Sequence, residues 1–187
     1  MKLGFFGGSF NPPTIAHYNL IKQALIEYNF DKVYFVPVNN FYPKSSLIDI
    51  DNRINMLEIM CQNDEKITVS KIEKEIKQPF KAIDIFRIIE KKYQEDEIVF
   101  FMGEDNFNKM ANWKDYTDLK KYNYIIFQRD EKYEADINEK NIIYMKNNEN
   151  LKVSSTIIRH RLKNNESIDK LVTEEVKEYI LKNKLYI

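Results

Sequence analysis

The sequence predicts an α/β fold: one doubly wound, mostly parallel sheet flanked by helices, with residues 151–187 as a C-terminal helical part of the same single domain. Three observations carry this expectation. Short β-branched or aromatic runs alternate with stretches of helical spacing along nearly the whole chain. Such alternation argues for right-handed crossovers between parallel strands. Three of the four glycines, Gly4, Gly7 and Gly8, fall in one stretch, GFFGGSFNPPTIAH, which leads from an apolar strand into the first turn of a helix.

Leu3 to Phe6 open the sheet, and Gly7 and Gly8 predict a backbone turn whose bare N–H groups can face an anion. Pro12 and Pro13 stiffen the crossing, Thr14 caps the helix, and His17 lies three residues on, over the same first turn. Tyr18, Ile21, Leu25 and Tyr28 form the helix's buried stripe. Lys32 to Val38 is the next strand, and a polar loop, Asn39 to Asp49, follows it. Asp51 to Cys61 has helical spacing, Ile67 to Val69 is a brief strand, and Lys81 to Tyr93 is helical through Ile85, Ile88 and Ile89. Glu97 to Met102 is a buried strand that ends at Gly103. Asp105 is then expected to cap a short helix containing Phe107 and Met110, with Trp113 after it. Tyr124 to Gln128 is a strand that stops at Arg129. The hydrophilic stretch from 130 to 150 holds one edge-strand candidate, NIIYM at 141–145, and Val153 to Leu162 and Thr173 to Leu181 read as helices.

With 187 residues, 43% apolar and 13% aromatic, the chain can bury one substantial core. The formal net charge of zero gives no chain-wide attraction to nucleic acid or to an anionic membrane, so neither is expected as a partner. A lone cysteine, Cys61, excludes an internal disulfide. The N-terminus lacks the apolar core of a signal peptide, and no run approaches a membrane span, so a cytoplasmic protein is expected. Guanidinium is scarce: only Arg53, Arg87, Arg129, Arg159 and Arg161 carry it, which makes their positions informative.

In an open sheet of this type ligands collect outside the carboxyl ends of the strands, where strand order reverses. Those ends carry Gly7 to Ser9, the loop with Lys44, Gly103 with Asp105, and Arg129. A helix N-terminus bears roughly half a positive charge, which draws in phosphate and keeps an adjoining imidazole neutral until the anion arrives. His17 can then donate to charge that builds on the phosphate. Near the end, KVSSTIIRHRL offers a second grip of the same kind: Ser154 or Ser155 caps a helix, Thr156 opens it, and Arg159 shares a face with Ser155. Two grips imply a polyphosphate, and so a nucleoside triphosphate whose α-phosphate is open to attack.

GFFGGSFNPPTIAH, FFMGEDNF, Trp113, IIFQRD and VSSTIIRHRL, in that order, resemble the bacterial nicotinate-mononucleotide adenylyltransferases of the nucleotidyltransferase superfamily, over nearly the whole chain. The resemblance implies the Rossmann-like fold of that superfamily and transfer of AMP from ATP to nicotinate mononucleotide, giving deamido-NAD and pyrophosphate in NAD biosynthesis. By position it implies His17 and Thr14 at the α-phosphate, with Lys44, Ser155, Thr156 and Arg159 on the departing phosphates. Gly7, Gly8, Ser9, Phe10, Gly103 and Asp105 would meet the rest of ATP, and Asp84, Trp113 and Arg129 the mononucleotide. Mg²⁺ is implied as an ion held by phosphates and water, with no protein ligand expected.

The chain departs from that pattern in several places. Ala16 stands where a glycine is usual, Thr14 where histidine is common, and Tyr42-Pro43-Lys44 lacks a histidine before the lysine. FKAIDIF places Ala82 and Ile85 at threonine positions near the pyridine carboxylate. The choice between acid and amide mononucleotide therefore stays open. So do two other readings: a phosphopantetheine or cytidylyl type of small nucleotidyltransferase, and a non-catalytic nucleotide sensor. Oligomeric state is not legible.

Overall fold

In the computed structural model residues 1–42, 46–77, 80–128, 140–146 and 153–187 are described. The elements run β1 (Lys2–Gly8), α1 (Ile15–Glu27), β2 (Lys32–Pro37), α2 (Ile50–Cys61), β3 (Ile67–Val69), α3 (Ile72–Glu75), α4 (Ala82–Lys92), β4 (Glu97–Gly103), α5 (Glu104–Met110), α6 (Tyr116–Leu119), β5 (Asn123–Gln128), β6 (Ile142–Lys146), α7 (Ser155–Lys163) and α8 (Glu174–Lys182). The strands form one sheet in the order β3-β2-β1-β4-β5-β6, and each neighbouring pair is parallel. This is the doubly wound arrangement, fully parallel rather than mostly so, with the order reversing between β1 and β4.

Alternation along the central strands explains why the sheet is covered on both sides. Phe6, Phe35, Phe101 and Phe127 point to one face, where they pack with Ile21 of α1, Leu57 of α2, Ile158 of α7 and Val176 of α8. Leu3, Phe5, Phe100 and Ile126 point to the other, against Ile83 and Ile89 of α4, Met110 of α5 and Leu119 of α6. Each large side chain buried here contributes about 1.5–3 kcal/mol. Gly4 sits in this packing because there is no room for more: a Cβ there would lie 2.6 Å from the Phe101 ring.

Two local expectations are corrected, and two short helices are added. Gly7 and Gly8 are the last residues of β1 and no glycine has positive φ; the turn is made by Phe10, at φ 44°. Asp105 does not cap α5. Gly103 holds the N-cap position in extended conformation, and Asp105 is the second residue of the helix, behind a buried Glu104. Short helices α3 and α6, four residues each, fall where no periodicity can develop. Other boundaries agree within two residues.

Parallel crossovers put the N-terminus of each following helix at the carboxyl edge of the sheet. That edge gathers the starts of α1, α2, α5 and α7. Register places Gly8 and Gly103 at the same level, each two residues beyond the Phe6–Phe101 pair.

Candidate functional site

The floor of the crevice is bare backbone. A Cβ at Gly7 or at Gly103 would meet nothing within 4 Å, so both glycines leave space open above the ends of the two central strands. Gly8 is different: a Cβ there would press on the Phe10 ring at 2.8 Å. Its smallness serves Phe10, whose ring closes over the strand end.

Thr14 and His17 form a reciprocal cap at the start of α1. The His17 backbone N–H donates to Thr14 Oγ1 at 3.3 Å, and the Thr14 backbone N–H donates to His17 Nδ1 at 3.0 Å. Histidine thus takes the place usually held by Glu or Gln in a capping box. Because a backbone N–H can only donate, Nδ1 is the acceptor, and in the neutral ring the proton resides on Nε2. Phe10 meets the imidazole edge-on at 5.2 Å between ring centres, and Phe6 tilts against it at 6.0 Å. Tautomer and orientation are therefore both set by neighbours, which puts the ring proton of the neutral imidazole on Nε2.

The second helix start reaches the same loop. Ser154 caps α7, accepting from the Ile157 N–H at 3.3 Å, so Ser155 is the first helical residue. Ser155 Oγ donates to the Pro12 carbonyl at 2.7 Å, and Arg159 Nη1 donates to the Asn11 carbonyl at 2.8 Å. Arg159 Nη2 also meets Thr156 Oγ1 at 3.2 Å. The N-termini of α1 and α7 are consequently tied together through Asn11 and Pro12 of the loop between β1 and α1. Ser155 and Arg159 are engaged with loop carbonyls rather than pointing only outward; a guanidinium has five N–H donors, enough to hold the loop and an anion together.

Residues that the sequence did not single out build the support beneath. Asn11, fully buried, donates from Nδ2 to the Ser46 carbonyl at 2.6 Å, while its Oδ1 accepts from Ile48 N–H at 3.2 Å and from the Tyr186 hydroxyl at 2.9 Å. Arg53, also fully buried, donates to the Ile48 carbonyl at 2.9 Å, the Ser9 carbonyl at 3.0 Å and Asn40 Oδ1 at 3.2 Å. Burial lowers its pKa. At the end of β2, Asn39 N–H donates to Glu73 Oε2 at 2.7 Å and its side chain donates to the Glu73 and Ile76 carbonyls. Burial pushes the Glu73 carboxyl from 4.5 up to about 7, against the pull of the Asn39 hydrogen bond and of Arg53.

Of the other expected residues, Trp113 is half-buried in the turn after α5, and Asp105 is exposed at the start of that helix. Asp84 Oδ2 accepts the Lys81 N–H at 2.9 Å, so its carboxylate caps α4. Lys81 Nζ reaches Asp115 Oδ1 at 3.2 Å and ties that helix start to the turn carrying Trp113. Ile85, at a threonine position of the family pattern, is turned into the core; Ala82 is exposed. Lys44 and Arg129 lie outside the described residues. Cys61 is buried and its thiol is pushed up to about 12, out of reach of any nucleophilic role.

Among the described residues no group of three His, Cys, Asp or Glu side chains could hold a metal ion, and no helix is long and apolar enough to cross a membrane. An open cavity of ≈ 520 Å³ lined by Lys22, Leu25, Asn29 and Lys66 shares no residue with the crevice.

The cytidylyltransferase-like family profile matches residues 5–161 of the chain, from β1 through α7. The chain is 35% identical to a "probable nicotinate-nucleotide adenylyltransferase" of Acholeplasma laidlawii, over 97% of its own length and 95% of the relative's. The chain belongs to the nicotinate-nucleotide adenylyltransferase family. A second relative so described, from Fusobacterium nucleatum, is 33% identical over 97% of this chain and 98% of its own. The nicotinate-nucleotide adenylyltransferase of Bacillus subtilis is 27% identical over 99% and 98%. Among solved structures, the nicotinic acid mononucleotide adenylyltransferase of Plasmodium falciparum complexed with NaAD superposes with a TM-score of 0.84 at 21% identity, covering 99% of this chain and 97% of that one. That likeness is one of fold. The nucleotidyltransferase fold of the adenylyltransferase family is therefore the frame on which the crevice between β1 and β4 is built.

Proposed function

We propose that this protein transfers AMP from ATP to nicotinate mononucleotide, forming deamido-NAD and releasing pyrophosphate. One observation carries the reading most directly: Ser155 and Arg159 of α7 hydrogen-bond to Pro12 and Asn11 of the loop that enters α1, so two anion-attracting helix starts flank one crevice. The family's relatives, named for the same activity, supply the substrate class.

The α-phosphate of ATP sits over the open backbone of Gly7, beside Gly8, Ser9 and Phe10, at the start of α1. An oxygen of the mononucleotide phosphate attacks that phosphorus, and its bond to the oxygen bridging the β-phosphate breaks. His17 donates from Nε2 to the phosphate oxygens as charge grows, in an orientation that Thr14 maintains. Lys44, Ser155, Thr156 and Arg159 hold the pyrophosphate that departs. Gly103 admits the adenosine close to backbone and Asp105 accepts from its sugar. Trp113 stacks on the pyridine, with Asp84 and Arg129 near the bound mononucleotide. Among the described residues no carboxylate cage is present, so a divalent cation, taken here as Mg²⁺, would be held by the ATP phosphates and water and would supply neutralisation of charge on the leaving group.

The test offers ATP with nicotinate or with nicotinamide mononucleotide and identifies the products by mass. Deamido-NAD and pyrophosphate are expected from the acid. ATP binding without any dinucleotide from either acceptor would instead support a non-catalytic sensor.

A further inference from the structure

Arg53 is the largest fully buried side chain in the described structure, and the adenylyl-transfer reading leaves it without a task. Its three hydrogen bonds go to three different segments: Ser9, just past the end of β1; Asn40, at the start of the loop after β2; and Ile48, just before α2. Among the described residues no carboxylate lies within ion-pair distance of it, and Asp49 and Glu73 act on it only from farther away. Burying a guanidinium without a counter-ion is costly, and packing alone is served by an apolar side chain of the same size.

What the cost obtains is a fixed peptide. In a trans peptide the carbonyl of one residue and the N–H of the next point in opposite directions. By holding the Ser9 carbonyl, Arg53 turns the Phe10 N–H to the side away from itself and stabilises Phe10 at φ 44°, a conformation a bulky residue adopts only when its surroundings enforce it. The Phe10 ring then lies edge-on to His17. We propose that Arg53 is a positioning residue of the transfer site: through Ser9 and Phe10 it fixes the His17 imidazole, and through Asn40 and Ile48 it holds the facing wall of the crevice at the same spacing.

The inference rests on the adenylyl-transfer reading for its kinetic arm and is tested by a second arm that needs no turnover. Arg53→Lys keeps the charge but not the fork, and Asn40→Ala removes one of the three acceptors at an exposed loop position, together with the Asn40 bonds to Ile50 N–H and Asp49. Arg53→Lys should lower kcat by about 10- to 100-fold with KM for both substrates within about threefold, and Asn40→Ala by a smaller factor in the same direction. In a His17→Ala background both effects should shrink, because one of the groups being positioned is gone. The imidazole nitrogen NMR signals of His17, assigned with the help of a His160→Gln variant, should move in both variants. Unchanged kcat in both, an undiminished loss in the His17→Ala background, or unmoved His17 signals would each overturn the proposal. An inactive wild-type protein would overturn adenylyl transfer instead, and the nitrogen spectra would still decide the role of Arg53.

Discussion

Glu73 makes the stability of this protein depend on pH in a direction opposite to that of a salt-bridged carboxylate. The carboxyl is buried at 8% exposure beneath the end of β2 and ionises near 7 in the folded state, against 4.5 as its ordinary value. Below its ordinary value it is protonated in both folded and unfolded chains and burial of charge costs nothing. As the pH rises the unfolded chain releases the proton first, so stability falls until the native carboxyl also ionises. Two binding curves with those midpoints give a loss of about 2–3 kcal/mol between about pH 5 and pH 8. Glu73→Gln abolishes the titration and leaves an oxygen to accept the Asn39 N–H, so the stability of the variant minus that of the wild type should rise by about 2–3 kcal/mol over the same interval. Urea unfolding followed by far-ultraviolet circular dichroism measures this directly. Every other titrating group cancels in the difference. A difference that stays flat to within about 0.5 kcal/mol would mean that Glu73 ionises at its ordinary value in the native protein, the Asn39 hydrogen bond and Arg53 offsetting burial.

Three further expectations concern the crevice. His17→Ala should lower kcat by about 10²- to 10³-fold with the fold retained, the usual effect of losing one transition-state donor; a wild-type rate would exclude the imidazole from the chemistry. Arg159→Lys should raise KM for ATP and lower kcat, because an ammonium cannot hold the Asn11 carbonyl, Thr156 Oγ1 and a phosphate in one plane, and normal kinetics would reduce Arg159 to a loop fastener. Trp113→Ala should weaken the mononucleotide more than ATP in equilibrium titration. An effect confined to ATP would place the indole in the other pocket.

Much of this was readable from the chain because period and punctuation agreed. Phe5 and Phe6, or Phe100 and Phe101, alternate between faces within runs too short to be helices, and the glycines mark where two neighbouring strands stop. The Thr14 cap and the shared face of Ser155 and Arg159 followed from helical spacing alone. What stayed hidden is tertiary. The glycine pair promised a turn, yet the backbone freedom was spent on leaving space, and Phe10 took the unusual dihedral because Gly8 makes room for its ring. Gly103 rather than Asp105 caps α5, two residues earlier than expected, and the first helical residue, Glu104, is buried. Arg53 did leave a sign. Ile50, Arg53, Ile54 and Leu57 follow the spacing of a buried stripe, and a guanidinium in such a stripe has to find its partners inside the protein. Asn11 left no such mark, because its partners at Ser46, Ile48 and Tyr186 come from remote parts of the chain.

That last set of partners bears on how the protein comes to life during synthesis. Asn11 and Tyr186 are separated by 175 positions, and the α7 contacts to the same loop by 143 and 148. A ribosome therefore extrudes β1 and α1 long before the groups that brace the turn between them exist. Nascent fragments ending before α7 should pair their first strands yet hold ATP poorly, so nucleotide affinity measured on stalled chains of increasing length ought to appear as a late step rather than a gradual climb.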